Sequence, residues 1–521
     1  MTSTSTVQAR VFPNSYRDSV ELMRIAAEIE TMDGIERAGL VMATPANRDV
    51  LAGAGLLSDV ASAAGPNDLV VAVAAAGREA AESALDRAAT RLAGTDAEGS
   101  SEATRTDART IGEAVGELVT ANLALISTPG TYATAESLKA LKRGLNVFLF
   151  SDNVAIEDEI ELKAIARAKG LLLMGPDCGT AILDGVPLGF ANVVRPGTVG
   201  LVAASGTGLQ QVSCLIDRFG GGVSQAIGVG GRDLDERVGG AMMLAGLERL
   251  AADPGTDVIV LISKPPAAAV IARILSAAGR VNKPVVVNLL GGDPAAISAA
   301  GAIPATTFEA AAEIAAALAA GSPAPDKGDT LEPALASAAD AAAATLAPGA
   351  TRIRGLYSGG SLAGEAKLIL RSVLGPDAAS AHEIIDLGAD EYTVGRPHPM
   401  IDPRLRTEHL LAAAADTTTA VILLDVVLGF GSHPDPAGAL AAAIGEARAA
   451  GSGCAVVASV CGTAQDSQGL TAQEARLTDA GVLLASSNAA AARLAARIVS
   501  ARGLASVAAA TATTMQIRGH M

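Results

Sequence analysis

Short apolar runs that end in small-residue turns and open into helices recur along this sequence, and they leave it few folds other than a layered α/β one. The sharpest instance is the apolar run Val199–Ala203, followed by Ala204-Ser205-Gly206-Thr207-Gly208 and a helix from about Gly206. A buried strand leading through glycine into a helix is the building unit of parallel sheets with right-handed crossovers. Further strands are expected at Gln225–Val229, Val258–Ile262 and Pro284–Asn288, which define a unit over 196–320. A comparable unit over 351–503 has strands near Arg354–Tyr357, Ala420–Leu424, Ala455–Val460 and Val482–Ala485. Its first strand ends in Ser358-Gly359-Gly360-Ser361, so the two units are expected to be a distant duplication.

Two more units precede these. Leu123–Ser127, Asn146–Phe150 and Leu171–Met174 alternate with helical segments, which predicts a Rossmann-type half over 111–195. Residues 1–92 alternate strands at Val7–Val11, Ala38–Ala43 and Asp68–Ala74 with helices at Asp18–Glu30, Pro45–Ala54 and Arg78–Leu92, a small α+β module of ferredoxin-like or ACT-like kind. Residues 93–110 and 321–350 read as linkers and the chain from 505 as a loose tail. The chain's 521 residues suit about three to five domains at roughly 100–200 residues each.

Charge and composition exclude several functions. The net charge is −16 and no Lys/Arg cluster exists, so nucleic acid is not an expected partner. Apolar stretches are broken well before a membrane span, and Met1 to Thr6 lacks the pattern of a secretory signal, so no membrane association and a cytoplasmic location are expected. Cys178, Cys214, Cys454 and Cys461 form no CxxC pair; they read as buried thiols of a reducing compartment, and no metal site is expected.

Several segments carry residues suited to chemistry. Helix starts present unpaired N–H groups, and glycine lets an anion approach them. Ser205, Gly206, Thr207 and Gly208 form one such start; Gly359, Gly360 and Ser361 form a second. Gly230, Gly231, Arg232 and Asp233 follow a strand, where Arg232 is placed to clamp a carboxylate or phosphate, unless it pairs with a neighbouring aspartate. Lys264 follows another strand and is a further ligand candidate. Gly395 through Asp402 holds Arg396, His398 and Asp402, with Pro397 and Pro399 fixing the backbone around His398, which is the candidate acid or base. His433 reads as a turn residue, and His382, His409 and His520 carry no signal.

Read together, these segments resemble the FdrA family, relatives of the succinyl-CoA synthetase α-subunit. The runs that carry the resemblance include Phe150 to Val154, Met174 to Thr180, Ala203 to Gly208, Gly230 to Leu234, Ser263 to Pro266, Gly395 to Asp402 and Leu424 to Gly429. Gly462 to Gln468 departs from it, since Asp-Pro-Gln is expected there. The resemblance implies a CoA-binding-like Rossmann domain over 111–195 and two flavodoxin-like ligase domains over 196–320 and 351–503. It implies a CoA-like site at Thr128, Pro129, Gly130, Ser151, Asp152 and Asn153. In succinyl-CoA synthetase two helix starts flank a phosphohistidine; here Ala299, in Ser298 to Ile303, takes the histidine position, and no ATP-grasp domain is evident. Histidine relay to a nucleotide is therefore not expected.

The activity that the resemblance implies is a transferase reaction of allantoin catabolism. It is oxalurate plus phosphate to oxamate plus carbamoyl phosphate, catalysed with partner subunits in a hetero-oligomer, or by a homodimer. In that scheme Gly206 to Gly208 and Gly359 to Ser361 orient phosphate, Arg232 or Arg396 clamps the carboxylate, and His398 protonates the leaving nitrogen. Two alternatives stay open: an acyl-CoA synthetase that binds CoA and an acyl phosphate, and a non-catalytic scaffold. CoA or a nucleotide-like ligand in the Rossmann domain is the only cofactor in view.

Overall fold

The computed structural model describes residues 6–17, 19–98, 108–264, 266–325, 331–393 and 397–501. The chain divides into two units, one made of residues 1–119 and 389–402, the other of 120–388 and 403–521. Among the described residues no helix is long and apolar enough to cross a membrane.

The first unit runs β1 (Thr6–Phe12), α1 (Ser19–Glu30), β2 (Ile35–Met42), α2 (Pro45–Gly53), α3 (Asp59–Ser62), β3 (Leu69–Ala75), α4 (Arg78–Glu98) and α5 (Ile111–Glu117). Its sheet has the order β1-β3-β2, with β3 antiparallel to both neighbours. Every residue of β3 is buried, because alternate side chains enter two cores. Leu69, Val71 and Val73 join Leu22, Ile25 and Leu85 on one face; Val70, Ala72 and Ala74 join Leu51 and Leu56 on the other. Gly39 on β2 lets that second layer pack close, since a Cβ there would lie 2.8 Å from Leu51 Cδ2 and push that side chain aside.

The second unit begins with the Rossmann-type layer. It contains β4 (Leu123–Ile126), α6 (Gly130–Lys142), β5 (Asn146–Leu149), α7 (Ile156–Ala168) and β6 (Leu173–Met174), and its three strands pair in parallel in the order β4-β5-β6. The next strands, β7 (Thr180–Leu183) and β8 (Val186–Gly189), are absent from the sequence expectation. They form a hairpin across Asp184 and Gly185, both at positive φ. Although the hairpin falls inside 111–195, it pairs with the following sheet rather than with β4-β5-β6.

That sheet is completed by β9 (Pro196–Ala204), α8 (Gly206–Arg218), β10 (Val223–Gly228), the 3-10 turn Gly231–Leu234, α9 (Ala241–Ala252), β11 (Val258–Ser263), α10 (Ala268–Ala278), β12 (Val285–Leu289), α11 (Pro294–Ala299), β13 (Ile303–Pro304) and α12 (Phe308–Ala319). Its strand order is β13-β12-β11-β9-β10-β7-β8. Residues 331–350, read as linker, instead carry α13 (Pro333–Thr345), whose Ala339 and Ala343 are buried. Alanine has the highest helix propensity, so the composition that looked featureless is a helix former.

The last layer contains β14 (Arg352–Tyr357), α14 (Gly360–Leu374), α15 (Pro376–Ala379) and β15 (Glu383–Asp386). The chain then supplies α16 (Asp390–Thr393) to the first unit and returns with α17 (Arg404–Ala415), β16 (Thr419–Val427), α18 (Pro436–Ala449), β17 (Ala455–Cys461), α19 (Leu470–Asp479), β18 (Leu483–Ala485) and a helix over 488–501. The five strands pair in parallel in the order β15-β14-β16-β17-β18. The α/β class expected from the strand–turn–helix pattern is the one observed.

The seven-stranded and five-stranded layers are fastened by polar groups that the interface buries. Asn192 Nδ2 donates to Leu428 O at 2.9 Å and to Asp466 at 2.8 Å, and Asp466 also accepts the Val193 and Thr463 N–H groups. Asp466 lies in the run where the resemblance expected a different sequence, and here it ties one layer to the other. Arg218, at the end of α8, donates to the carbonyls of Val460 and Gly462 across the same seam.

Candidate anion site between two helix starts

The seam brings the starts of α8 and α14 together. Ser205 caps α8, accepting the Gly208 N–H at 3.0 Å, and its hydroxyl meets the Ser361 hydroxyl at 2.6 Å. Thr207 lies against Gly359, where a Cβ would come 2.9 Å from Thr207 Cγ2. Gly208 is needed for packing: a Cβ there would collide with Ser205 Oγ and sit 3.1 Å from the Phe308 ring. Gly206 is different. It is exposed, and a Cβ would meet only Thr180 Oγ1 at 3.4 Å. Among the described residues no protein group accepts the Gly206 or Thr207 N–H. The first turn of α8 therefore points free donors and a partial positive charge outward.

The start of α14 is built differently, and its key residue escaped the sequence reading. Asp425, fully buried in β16, accepts the N–H groups of Ser358 and Gly359 at 2.9 Å each and the Ser358 hydroxyl at 3.0 Å. Arg406, also buried, donates to the Asp425 carboxylate at 2.7 Å and to Leu356 O at 3.0 Å. The Ser358-Gly359 donors thus already hold a protein carboxylate. Among the described residues the Gly360 N–H has no acceptor, but the space at its Cα is taken: a Cβ there would strike Asp386 Oδ2 and lie 3.5 Å from Lys264 Nζ. Burial pushes the Asp386 carboxyl above its ordinary value, against the pull of the Gly388 N–H and the Lys264 ammonium. The one signal that could have found Asp425 is its charge alone in the apolar run of β16, TAVILLDVV, since buried carboxylates require partners.

Other expected site residues lie elsewhere. Arg232 bonds Glu159 at 3.0 Å and Val154 O at 2.8 Å, so its guanidinium is a bracket between α7 and the seven-stranded layer rather than a free clamp. Asp233 caps α9 through the N–H groups of Met242 and Met243 and pairs with Lys163 at 2.9 Å. Lys163 also holds Glu159 at 2.8 Å and Val229 O at 3.1 Å, so two buried carboxylates share one buried ammonium. Gly230, at φ +81, is fixed by close approach to Pro176 O, while a Cβ at Gly231 would meet nothing within 4 Å.

The six residues of the expected CoA-like site do converge. Ser151 donates to Thr128 O, and Gly130 opens α6 so close to the Asp152 and Asn153 carbonyls that no Cβ fits. Pro129 precedes α6 without a side-chain cap, Asn153 adopts φ +53, and Thr128 Oγ1 is buried with no partner.

His398 and Asp402 belong to the first unit, whereas both helix starts belong to the second. Arg396 lies outside the described residues. Desolvation pulls the His398 imidazole down to about 4, and its Nδ1 accepts the Met400 N–H at 3.2 Å. Such a ring is neutral at pH 7, which is the wrong state for the acid expected of it. His433 Nδ1 accepts the Asp435 N–H, as a turn residue does. His382 Nδ1 likewise accepts the Ile353 N–H. Ala299 ends α11, exposed. All four cysteines are buried and free.

Comparison with known proteins fixes the family. Over 505 residues the chain is 41% identical to the uncharacterized protein YahF of Escherichia coli (strain K12), covering 92% of this chain and 96% of that one. This chain belongs to the YahF family. The family is succinyl-CoA synthetase-like. The CoA-ligase family matches residues 356–498, and the family described as AllF, heavy metal-associated domain, matches residues 3–109. The mitochondrial succinate–CoA ligase subunit alpha-2 of Trichomonas vaginalis is 31% identical over 28% of this chain and 47% of its own length. The sulfoacetate–CoA ligase subunit SauD of Bilophila wadsworthia is 26% identical over 28% of this chain and 50% of its own. The chain thus spans about half the length of these ligase subunits.

These relatives correct the expected activity. They are ligases, and the transferase reaction implied by the resemblance has no counterpart among them. The name of the amino-terminal family raises a second question, that of a heavy metal. Soft metals favour thiolate, thioether and imidazole ligands, and residues 3–109 contain no cysteine and no histidine, with Met23, Met32 and Met42 the only soft donors. The described residues hold no cluster of three potential metal ligands either. Residues 3–109 thus match that family without a cysteine or histidine to hold a metal.

Proposed function

We propose that this chain is a CoA-ligase-type subunit that handles the thioester and acyl-phosphate half of the ligase reaction. The observation that carries the proposal is the meeting of two helix starts, from two layers, at Ser205 and Ser361. Free N–H groups at Gly206 and Thr207 hold the phosphoryl oxygens, and Lys264 supplies the counter-charge beside Gly360. The start of α6, with Thr128 and Gly130, takes the CoA. Phosphate attacks the thioester carbonyl, the carbon–sulfur bond breaks, and the thiol leaves with the proton given up by phosphate. Positioning and charge stabilisation supply the rate, since the acceptors and donors are preset. Ala299 fits this half-reaction, which needs no phosphohistidine. The named acids of the related ligases, succinate and sulfoacetate, each carry a second anionic group, so a small acid with two anionic groups is the substrate class.

The test is phosphate-dependent release of CoA thiol from succinyl-CoA and similar thioesters by the full-length protein. Gly206→Val should abolish release without lowering the melting temperature, because the position is exposed and the added Cβ makes only an ordinary contact with Thr180 Oγ1 while the side chain covers the free N–H groups. Absence of both thiol release and saturable phosphate binding in the wild-type protein refutes the proposal.

A further inference from the structure

One buried acid lies directly behind the paired helix starts and has no part in the reaction above. Glu365 sits on α14, one turn beyond Ser361, and is 1% exposed. Its two oxygens face two different layers. Oε1 accepts the Phe308 N–H at 2.7 Å, at the start of α12; Oε2 accepts Asn488 Nδ2 at 2.7 Å, at the start of the helix over 488–501. The same Asn488 amide donates to Leu362 O at 3.0 Å, while Asn488 Oδ1 is buried with no partner. Phe308 in turn lays its ring over Gly208, the residue whose N–H holds Ser205 against Ser361. The contacts therefore close a ring: Glu365 to Phe308, Phe308 to Gly208, Gly208 to Ser205, Ser205 to Ser361, and one helical turn back to Glu365.

We propose that Glu365 is a proton-linked positioning residue that holds α12 against α14 and thereby sets the contact between the two helix starts. The bonding pattern supplies the two states. Ionised, Glu365 accepts both donors as observed. Protonated on Oε2, it presents a hydrogen to the Asn488 amide, which must turn its unpartnered Oδ1 toward that hydrogen and release Leu362 O. The groups that face Glu365 are Glu309 on α12, Arg493 on the last helix and Tyr357 on β14. Arg493 and Glu309 pair with each other at 3.6 Å. Tyr357 stays protonated, its hydroxyl pushed far up by burial. Glu365 is therefore the group left to change charge near neutrality, its carboxyl raised to about 7 chiefly by burial. An ionised Glu365 also opposes an anion held where the two helix starts meet, so proton uptake and anion binding reinforce each other, each by the same factor.

As a role for the helix starts, this rests on the reading of Ser205–Gly208 as an anion site. Sulfate is the probe, because its charge is constant over the range needed. Calorimetric titration of the full-length protein from pH 5.5 to 8.5 should show sulfate affinity falling about three- to tenfold as pH rises through 7. Glu365→Gln, fixed in the protonated pattern, should bind as the wild type does at low pH and show no such slope. Glu365→Ala, which loses both bonds, should bind more weakly than Glu365→Gln at every pH. A slope in Glu365→Gln equal to that of the wild type overturns the proposal, as does unaltered binding in Glu365→Ala. If neither sulfate nor phosphate binds the wild type at any pH, the anion-site reading fails by itself. Hydrogen exchange of residues 305–312 then decides the positioning role. Faster exchange in Glu365→Ala than in Glu365→Gln supports it, and equal exchange overturns it.

Discussion

Replacing Asp425 by asparagine changes one atom of the side chain and tests how the start of α14 is held. Asp425 is fully buried and accepts three bonds from Ser358 and Gly359 and a fourth, charged one from Arg406. Asparagine keeps one acceptor oxygen, but its amide nitrogen then faces a backbone donor or the guanidinium, and the Arg406 charge loses its buried partner. Breaking a buried pair from one side costs about 3–5 kcal/mol. Most of that should appear here, because Arg406 is 4% exposed and has no water to turn to. The assay is urea denaturation followed by circular dichroism, comparing wild type, Asp425→Asn, Arg406→Met and the double replacement. The double variant should recover at least about 2 kcal/mol relative to the sum of the singles, since it removes the stranded charge. A loss below about 1 kcal/mol in Asp425→Asn, or no coupling in the cycle, would show that the carboxylate is not what holds the loop.

Three further outcomes are expected. Glu365, raised from 4.5 to about 7, binds its proton more tightly in the folded protein, so its contribution is full below pH 4.5 and is lost as pH rises to 7. That contribution is about 3 kcal/mol, and the fall in melting temperature across this window should vanish in Glu365→Gln. Lys163→Met leaves Glu159 and Asp233 buried with their shared ammonium gone, and should cost about 3–5 kcal/mol by chemical denaturation. Of two neighbouring glycines, Gly206→Ala should leave the melting temperature unchanged while Gly208→Ala lowers it, because only the second Cβ strikes Ser205 and Phe308.

What the sequence disclosed is what local chemistry decides. The start of α8 was readable because strand, capping serine and glycine follow one another within ten residues, and each favours the same turn. The β7–β8 hairpin carried an equally local sign, Asp184-Gly185 between apolar runs, which is a strong hairpin signal that the domain-level reading passed over. Arg232 was different in kind. Its partner Glu159 lies far back in the chain on another layer, so no spacing argument could tell a bracket from a clamp. The same holds for Glu365, whose partners Phe308 and Asn488 come from either side of the sequence. The pairing of the helix starts of α8 and α14 was implied by the resemblance to the succinyl-CoA synthetase α-subunit; that a protein carboxylate already occupies the turn before α14 was not.

The hairpin that leaves the Rossmann layer to border the seven-stranded sheet sets where this chain can be divided. A fragment beginning at Pro196 would expose the flank of β10 that β7 now covers, a bare strand edge open to pairing with another chain. One beginning near Cys178 would carry its own border. By strand pairing, therefore, the Rossmann-type sheet ends at the turn after β6, and the border of the next sheet begins with β7 rather than at 196.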